Sequence, residues 1–510
     1  MERTYQMVLS KLNVNKTIEF HLAKDYQNIE ISLELEDKLR FKCFLRIADP
    51  GNIIRLQREV SHGELRYIIG GRKDNTSIGG IPGPIMRGSW KCSLYCMYEN
   101  FNELFQEPAM VTLRFRCNTA NTPPDHIGEE SWTDYDKEKD QLTLSEYDEA
   151  RCYSDQERWY AGDFHTHTRL SDGKCSVKEA MQIAAEQKLD FYVTTEHNLI
   201  HTGFEAAKTL VIPGIEVTTE FGHLNCFGIR ELPKEIQDIF LNPSDQVKTE
   251  KAVLAIMERN REKGYINSLN HPFLYPWSWE LFNIPIHLFD TIEIENDPTY
   301  DNAAVSNELA LKLFYLLWED GHKVYAIGGS DAHNLVEERY DNAILPSIIG
   351  DPRTVVYSEE LSPKAILAHV KSGHSCVSRF IELVPVITLR FDGETKEYSY
   401  LPGECLPEAC TCRPYFLEYT IHVTVAEEIM NCKLMVNGRQ VQVQEIDPGT
   451  AKIHFTYRGD ASPYQWIHIE IRNAKGEFIG IANPVYAGKK ESRYHTYQEM
   501  QALIVTSGNK

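Results

Sequence analysis

FYVTTEHN, residues 191–198, joins an apolar run to a polar ending in which a glutamate precedes a histidine. Similar apolar runs follow it along the chain: LVIPGIEV (210–217), INSLN (266–270), TIEIEN (291–296) and VYAIGG (324–329). Short continuous runs of this kind are typical of parallel strands that are buried on both faces. Helical patterns lie between them at 176–188, 246–263 and 302–320, and the first opens with a capping box of Ser176 and Glu179. The alternation of strands and helices over residues 160–382 predicts an α/β barrel.

Alternating patterns on both sides of this region predict two β domains. Val111, Leu113 and Phe115 alternate with polar residues before it, and Tyr419 and Ile421 do so after it. A period of two is typical of antiparallel strands with one buried face. We therefore predict an N-terminal β domain and a C-terminal β-sandwich around the barrel. The predicted divisions are residues 1–120, an acidic linker at 121–159, the barrel at 160–382, the sandwich at 383–487, and a short helix with a frayed tail at 488–510.

Composition limits the classes of function. The chain has 510 residues and a net charge of −21, which argues against general binding to nucleic acid or to membrane surfaces, since both are polyanions. A small anionic substrate or a short single-stranded nucleic acid stays open. No apolar run is long enough to span a membrane, and the first residues lack the apolar stretch of a secretory signal. We therefore expect a cytoplasmic protein with no membrane partner. Twelve acidic residues lie between Asp125 and Glu157, and an exposed linker explains them better than an acidic binding tail.

Histidines and acidic residues are concentrated at the ends of the predicted strands. Nine of the 18 histidines lie between His165 and His333. Residues two apart on a strand point to the same face, so His165 and His167 can converge on one ion. The other strand-end residues of this kind are Asp172, His197, Glu216, His223, His271, Asp331 and His333.

Each of these residues also has an ordinary structural explanation. A strand-end histidine is commonly a satisfied polar residue, and a strand-end aspartate is commonly a helix N-cap. The carboxyl ends of barrel strands, however, meet at one rim, where active sites lie. Clustered carboxylates and imidazoles at that rim would repel one another or lack partners unless cations held them. The recurrence of these groups therefore favours a metal site.

The motifs HTHTRLSDG, TEHN, GIE, NHP and SDAH occur in the order of the polymerase-and-histidinol-phosphatase (PHP) family, which the chain resembles over about residues 160–380. The preceding β domain, the segment PRTVVY (352–357) and the closing IANPVYAG resemble the carbaryl-hydrolase-type (CehA/McbA) branch. The resemblance implies a distorted (βα)7 barrel, flanked by the two β domains, that holds two to three divalent metal ions.

The resemblance also implies an assignment of ligands to ions. His165, His167, Glu216 and Asp331 would hold the first ion. Glu216 would bridge to a second ion completed by His223 and His271, and Asp172, His197 and His333 would hold the third. Many family members have a histidine where Asp172 stands, and its hard oxygen favours manganese or iron over zinc there. Glu196 is expected to orient groups around the ligands rather than to bind metal.

The ligand set indicates a metal-dependent hydrolase. Nitrogen and oxygen donors suit Zn²⁺, Mn²⁺ or Fe²⁺, and ions that share a water lower its pKa toward about 7. The expected nucleophile is therefore a metal-bound hydroxide. Because the charge of three divalent ions exceeds that of three carboxylates, we expect a phosphoesterase, either a phosphatase or a 5′–3′ exonuclease-like enzyme acting on a small anionic or single-stranded nucleotide substrate.

Other assignments stay open. Arg169, Lys174 and Arg353 are candidate phosphate anchors, although solvated surface charges explain them equally well. His201 is a candidate proton donor to the leaving group, but an ordinary loop histidine is the better explanation. The same metal site would also suit a carbamate or carboxyl-ester hydrolase. A third hypothesis is a non-catalytic binding protein that uses its β domains.

Overall fold

The fold is described from a computed structural model, which covers residues 1–9, 15–35, 42–60, 65–97, 109–123, 125–136, 141–423 and 428–507. Within these ranges, no helix is both long enough and apolar enough to cross a membrane.

The N-terminal strands are β1 (Glu2–Leu9), β2 (Asn15–Leu22), β3 (Asn28–Leu35), β4 (Lys42–Ala48), β5 (Ile54–Glu59), β6 (Arg66–Gly70), β7 (Gly88–Met97) and β8 (Ala109–Cys117). The central strands are β9 (Glu130–Ser131), β10 (Arg158–Asp163), β11 (Phe191–Val193), β12 (Gly203–Phe204), β13 (Leu210–Ile212), β14 (Gly214–Thr219), β15 (Gly222–Phe227), β16 (Ile266–Leu269), β17 (Thr291–Asn296), β18 (Tyr325–Gly329), β19 (Arg353–Ser358) and β20 (Ser375–Ser378). The C-terminal strands are β21 (Leu383–Phe391), β22 (Glu397–Tyr400), β23 (Tyr415–Val423), β24 (Met430–Val436), β25 (Arg439–Ile446), β26 (Lys452–Gly459), β27 (Tyr464–Asn473), β28 (Phe478–Ala482) and β29 (Val485–Gly488). The helices are α1 (Val177–Glu186), α2 (Ile236–Leu241), α3 (Gln246–Lys263), α4 (Ala303–Glu319), α5 (Pro363–Lys371) and α6 (Tyr497–Ser507).

The N-terminal region is a sandwich of two antiparallel sheets. One has the order β1-β8-β3-β6 and the other β2-β7-β4-β5. Alternation along β8 places Val111, Leu113 and Phe115 in the core between the sheets, where Phe115 stacks on Phe20 with ring centroids 4.3 Å apart. These buried apolar faces are what holds the two sheets together.

The acidic segment wraps onto the central region rather than standing free as a linker. Its short strand β9 pairs with β12, and the Leu144 N–H donates to the Arg230 carbonyl at 2.7 Å. Trp132, Leu142 and Leu144 are buried there. The apolar side chains of this segment pack into the neighbouring core, whereas Glu129, Glu146 and Glu157 are exposed.

The central region is a mixed α/β structure, as the alternation of patterns predicts, and helices α1, α3 and α4 fall within the predicted ranges. Its strands belong to two open sheets. One has five strands in the order β14-β15-β16-β17-β18, and the other is part of a ten-stranded sheet that begins β13-β11-β10-β19-β20. The run LVIPGIEV divides at Pro213, so that β13 and β14 lie in different sheets. Proline has no N–H to continue a ladder, which explains the break.

Isolated parallel bridges link the two central sheets by joining Thr166 to Ala332 and His197 to Glu216. In the part of the chain that the structure describes, the sheets do not close, so the seven-stranded barrel is not seen. Several neighbouring pairs, including β10 with β19 and β14 with β15, are also antiparallel rather than parallel.

The C-terminal region shares a sheet with the central region. The ten-stranded sheet continues from β20 through β28, β27 and β24 to β25, with β29 paired to β27. A second sheet of four strands, β22-β21-β23-β26, packs on this extension around a core that includes Leu417 and Ile469. The predicted short helix is α6, and its Tyr497 and Met500 are buried, so the segment is not frayed there. Residues 508–510 of the predicted tail lie outside the described residues.

Candidate metal centre

All nine residues predicted as metal ligands lie together where the two central sheets meet. Their ligand atoms approach within 4.8 Å of one another in overlapping groups: His165, His167 and Asp331; His197, Glu216 and His223; and His167, Asp172, His197 and His333. His271 joins a fourth group with His165 and Glu293. These buried groups can hold a metal ion.

Glu216 lies at the middle of the cluster. Its Oε1 atom is 3.0 Å from His223 Nδ1 and 3.4 Å from both His165 Nε2 and His271 Nε2. Its Oε2 atom is 2.8 Å from His197 Nδ1 and 3.5 Å from His167 Nε2. The two oxygens of this carboxylate therefore contact five imidazoles between them, as a bridging ligand would.

Two aspartates complete the cluster on either side. Asp331 Oδ1 is 3.2 Å from His165 Nε2 and 3.0 Å from His167 Nε2. Asp172 Oδ1 is 3.2 Å from the Nε2 atoms of both His197 and His333. The site thus combines imidazole nitrogens with hard carboxylate oxygens, the mixture that suits zinc, manganese or iron.

Asp163 fixes the loops that carry these ligands, because it joins the ends of three segments. Its carboxylate accepts hydrogen bonds from the backbone N–H groups of His165 and Ser330 at 3.0 Å and of Gly350 at 2.8 Å. Burial raises the pKa of Asp163 to about 6, against the lowering effect of these bonds.

The backbone is strained at four positions around the cluster. Asn198, His271, Asp297 and Asp331 have φ values of 53°, 23°, 28° and 49°, in the left-handed region that side chains other than glycine rarely adopt. Such conformations cost about 1–3 kcal/mol each and concentrate at functional sites. At Asn198 the cost is offset by side-chain hydrogen bonds to the Thr218 backbone at 2.8 and 3.1 Å.

Buried polar atoms at the centre of the cluster lack hydrogen bonds. Among the described residues, His165 Nε2, His167 Nε2, Glu216 Oε2 and Asp331 Oδ1 have no hydrogen-bond partner, and all four point toward one another. Leaving such atoms unsatisfied in a protein interior is costly. A divalent cation between them would satisfy these atoms, so the residues present fit a metal ion.

The close contacts between imidazoles and carboxylates shift the pKa values of both in the metal-free protein. Burial alone would raise the pKa of Glu216, but the imidazoles of His165, His223 and His197 hold it well below its usual range. Burial would lower the pKa of His165, and Asp331, Glu293 and Glu216 raise it well above its usual value. Without metal, His165 is therefore protonated beside these carboxylates, whereas burial lowers the pKa of His167 to about 4, and metal binding would release the proton of His165.

Glu293 is a member of the site that sequence reasoning missed. Its Oε1 atom is 2.7 Å from His165 Nδ1, and its Oε2 atom accepts hydrogen bonds from the His271 N–H at 3.1 Å and the Asn296 amide at 3.0 Å. It therefore fixes the ring of His165 from the side opposite the cluster, as carboxylates behind ligand histidines do. An available signal was a glutamate inside the buried run TIEIEN.

Glu196 and His201 lie behind the cluster. The Glu196 carboxylate accepts hydrogen bonds from the N–H groups of Thr168 and Ser171 at 3.1 and 3.2 Å and pairs with His201 Nε2 at 2.7 Å. This arrangement agrees with the expected orienting role of Glu196. His201 is fully buried against Phe204 and is not among the residues that line the cavity, so the structure gives it no access to a leaving group.

The N-terminal sandwich supports the loops that carry the ligands. The Gln57 amide donates to the Ile200 carbonyl at 2.8 Å, and the Glu59 N–H donates to the Leu170 carbonyl at 3.0 Å. Strand β5 therefore contacts both the loop before Asp172 and the loop after His197.

A cavity of about 200 Å³ opens onto the cluster. It is lined by the candidate ligands Asp172, His197, His223, His271, Asp331 and His333 and by Leu274, Trp277, Asp297, Tyr300 and Tyr340. Neither lysine nor arginine is among these residues. The part of the wall that is not made of candidate ligands combines aromatic rings with one further carboxylate.

The three predicted phosphate anchors are not brought into this cavity. Lys174 Nζ lies 2.7 Å from Glu338 Oε2 in an adjoining groove, and Arg169 donates to the Lys174 carbonyl at 2.8 Å. Arg353, on β19, lines a different cavity. The partners of Arg169 and Lys174 hold these two side chains outside the cavity, which the sequence pattern alone did not reveal.

No protein-family model matches the chain, and no curated protein matches it. The resemblance to the PHP family therefore stays a prediction that depends on the motifs themselves.

Proposed function

We propose that the protein is a metal-dependent hydrolase of small esters, with phosphoric esters as the first substrate class. The observation that carries the proposal is the convergence of nine nitrogen and oxygen donors on one small cavity, with buried ligand atoms that lack hydrogen bonds among the described residues. Such a cluster is costly to maintain without a cation. Among the described residues that line the cavity there is no serine or cysteine to act as a nucleophile, which suits attack by water.

The residues divide into holding, orienting and enclosing groups. His165, His167, Glu216 and Asp331 would hold one ion, with Glu216, His223 and His271 at a second and Asp172, His197 and His333 at a third. Ions bound there would supply an activated water and neutralise charge that develops on the substrate. Glu293 and Glu196 orient the ligand-bearing segments, and the wall of Trp277, Tyr300 and Tyr340 limits access of bulk water.

One observation supports the second candidate, a carbamate or carboxyl-ester hydrolase. Because the lining residues that the structure describes include no lysine or arginine, recognition of an anion would depend wholly on bound cations. The small volume and the acidic surroundings also argue against oligonucleotides as the main substrate.

We further propose that the central region is a distorted form of the PHP barrel. The order of the motifs supports this, as do the bridges Thr166–Ala332 and His197–Glu216, which join the two sheets at the ends where a barrel would close.

The test combines metal content with a substrate panel. Elemental analysis of the purified protein should find two to three ions of manganese, zinc or iron per chain. The panel consists of p-nitrophenyl phosphate, bis-p-nitrophenyl phosphate, short oligonucleotides and 1-naphthyl methylcarbamate, before and after chelation. Phosphate release that is lost on chelation and restored by metal is the expected result. Turnover of the carbamate alone would replace the phosphoesterase by the second candidate. A fully metallated protein that cleaves no ester, together with glycan binding by a His165→Ala variant, would favour a binding protein.

A further inference from the structure

We propose that the aromatic and acidic part of the cavity wall, formed by Trp277, Asp297, Tyr300 and Tyr340, binds a positively charged leaving group, so that the substrate is an ester of an amino alcohol with a protonated or quaternary nitrogen. The reaction rests on the proposed function, whereas the cation site is argued from the wall itself.

Asp297 is a buried carboxylate whose partners in the structure are neutral. Its side chain is 4% exposed and accepts hydrogen bonds from the Tyr340 hydroxyl at 2.7 Å and the Thr299 hydroxyl at 3.0 Å. In the described ranges of the chain, no lysine, arginine or histidine forms an ion pair with it. A buried charge without a cationic partner is costly, which points to a positive group supplied by a ligand.

Asp297 carries its charge under ordinary conditions. Burial raises its pKa to about 6, and the Tyr340 hydroxyl opposes that rise. At neutral pH the carboxylate is therefore ionised, and Tyr340, whose own pKa burial and Asp297 raise, stays a hydrogen-bond donor.

Three aromatic rings surround the carboxylate side of the cavity. The Trp277 and Tyr300 ring centroids are 5.7 Å apart, and those of Tyr300 and Tyr340 are 5.2 Å apart at an interplanar angle of 88°. The rings form a corner beside Asp297 rather than a single flat surface. Aromatic faces with a nearby carboxylate are the usual environment for ammonium and quaternary ammonium groups.

The charge around the cavity mouth also favours a cation. The adjoining groove shares Tyr300 and Tyr340 with the cavity and is lined by Asp301, Glu338 and Asp341 against Lys174 and Arg339. Lys174 is paired with Glu338 at 2.7 Å, so the rest of the groove has an acidic excess. An anionic leaving group would be repelled there, and a neutral aromatic group would leave Asp297 without a counter-charge.

The two faces of the cavity suit the two ends of a zwitterion. The phosphate would lie toward the ligand cluster and the nitrogen toward Asp297 and the rings. In the reaction, water supplies a hydroxyl to phosphorus, the bond between phosphorus and the alcohol oxygen breaks, and that oxygen takes up a proton. The products are inorganic phosphate and the free amino alcohol, with no redox change.

A pair of isosteric substrates tests the proposal. Phosphocholine and phosphoethanolamine are compared with 3,3-dimethylbutyl phosphate, which replaces the charged nitrogen of phosphocholine by carbon. We expect kcat/KM to favour at least one of the charged esters by about tenfold or more. Asp297→Asn should abolish that preference, whereas Asp460→Asn, the same change at an exposed loop position, should keep it. Equal turnover of all three esters would overturn the proposal.

Binding of the products gives a test that does not require catalysis. Calorimetry on the metal-free protein should detect choline or ethanolamine but not 3,3-dimethylbutanol, and Asp297→Asn should lose the binding. Detection of this binding without hydrolysis of any ester would contradict the proposed function while supporting the cation site. Hydrolysis with neither amino alcohol bound, or with the neutral alcohol bound equally well, would contradict the cation site and leave the hydrolase intact.

Discussion

Glu216 contacts more of the candidate ligands than any other carboxylate in the cluster, since five imidazoles lie within 3.5 Å of its oxygens. It reaches this position because β14 begins directly after Pro213, where the chain crosses from one sheet to the other. His333, by contrast, lies at the edge of the cluster, where its ring nitrogens are 3.2 Å from Asp172 Oδ1 and 3.6 Å from Asp331 Oδ1. Replacement of Glu216 and replacement of His333 should therefore remove different numbers of metal ions.

We expect Glu216→Ala to lose two metal ions together and His333→Ala to lose one. A bridging carboxylate serves both ions, whereas an edge imidazole serves a single ion. Elemental analysis of both variants, with circular dichroism to verify folding, measures this directly. A full complement of metal in Glu216→Ala would refute the bridging role.

Glu293→Gln should weaken metal binding about 10–100-fold while preserving side-chain volume, because the Nδ1 atom of His165 loses its carboxylate partner. Competition with a chromogenic chelator gives the affinity. Glu295→Gln is the matched control, since the register shift between the two positions on β17 places Glu295 toward a separate cavity. Equal weakening in both variants would show that the effect comes from the strand and not from His165.

At the scale of elements, β18 packs directly against the loop after β10, which carries His165 and His167. A Cβ atom added at Gly329 would lie 2.3 Å from the His165 Cβ and 3.0 Å from Glu293 Oε1. Contacts this short force a shift of backbone or side chain. The last residue of β18 is therefore limited to glycine by the histidine that it supports.

Gly329→Ala should reduce metal content and destabilise the protein by about 1–3 kcal/mol, because His165 must move. Metal analysis and denaturant unfolding measure the two effects. Gly71→Ala is the matched control, since nothing lies within 4 Å of the added atom there. A Gly329→Ala protein with normal metal content would show that the loop accommodates the methyl group.

The elements also show which features local sequence could predict. The nine candidate ligands could be singled out from sequence because each lies within a buried strand or about ten residues or fewer after one, and Ser176 caps α1 through its reciprocal bonds with Glu179 as its spacing indicates. The division of the strands into two sheets was not predictable, since it depends on pairings between distant segments. The pairing of Asp297 with Tyr340 was not predictable for the same reason, because their hydrogen bond joins residues 43 positions apart. Arg169 and Lys174 have the charge expected of phosphate anchors, but the Lys174 carbonyl and Glu338 hold their side chains outside the cavity.

At the scale of the whole molecule, Asn483 connects the C-terminal region to the strand that leads to Asp331. Its side chain accepts a hydrogen bond from the Ala326 N–H at 2.8 Å and donates to the Ala326 carbonyl at 3.0 Å and the Ser375 hydroxyl at 2.9 Å. The residue is fully buried, so no water replaces these bonds when the side chain is removed.

Asn483→Ala should therefore lower the free energy of unfolding by about 2–3 kcal/mol, since it leaves buried backbone groups of β18 without partners. Denaturant unfolding provides the measurement. Asn431→Ala, at a half-buried position on β24, should have a clearly smaller effect. Similar losses in the two variants would mean that Asn483 contributes no more than an ordinary strand residue.

Stability should also fall in acid because His468 is buried in its neutral form. Burial lowers its pKa from 6.5 to about 4, so the unfolded chain binds a proton at a pH where the folded protein does not. The stability that depends on this difference is present above pH 6.5 and is lost as the pH falls toward 4. The loss is at most about 3 kcal/mol.

Unfolding of the metal-free protein between pH 7 and pH 4 measures this effect. His468→Phe keeps an aromatic ring against Trp466, whose ring centroid lies 5.1 Å away, and should show a shallower pH dependence than the wild type. His422→Phe, at an exposed position, should leave the dependence unchanged. Identical curves for His468→Phe and the wild type would contradict the assignment.

The ten-stranded sheet limits how the chain can be divided into fragments for expression. A fragment of the central region that stops near residue 380 would expose the edge of β20, where β28 pairs with it. Unprotected edges of this kind favour intermolecular pairing and precipitation. We expect soluble fragments to need at least everything from β9 to α6, because Trp132, Leu142 and Leu144 also pack into the central core.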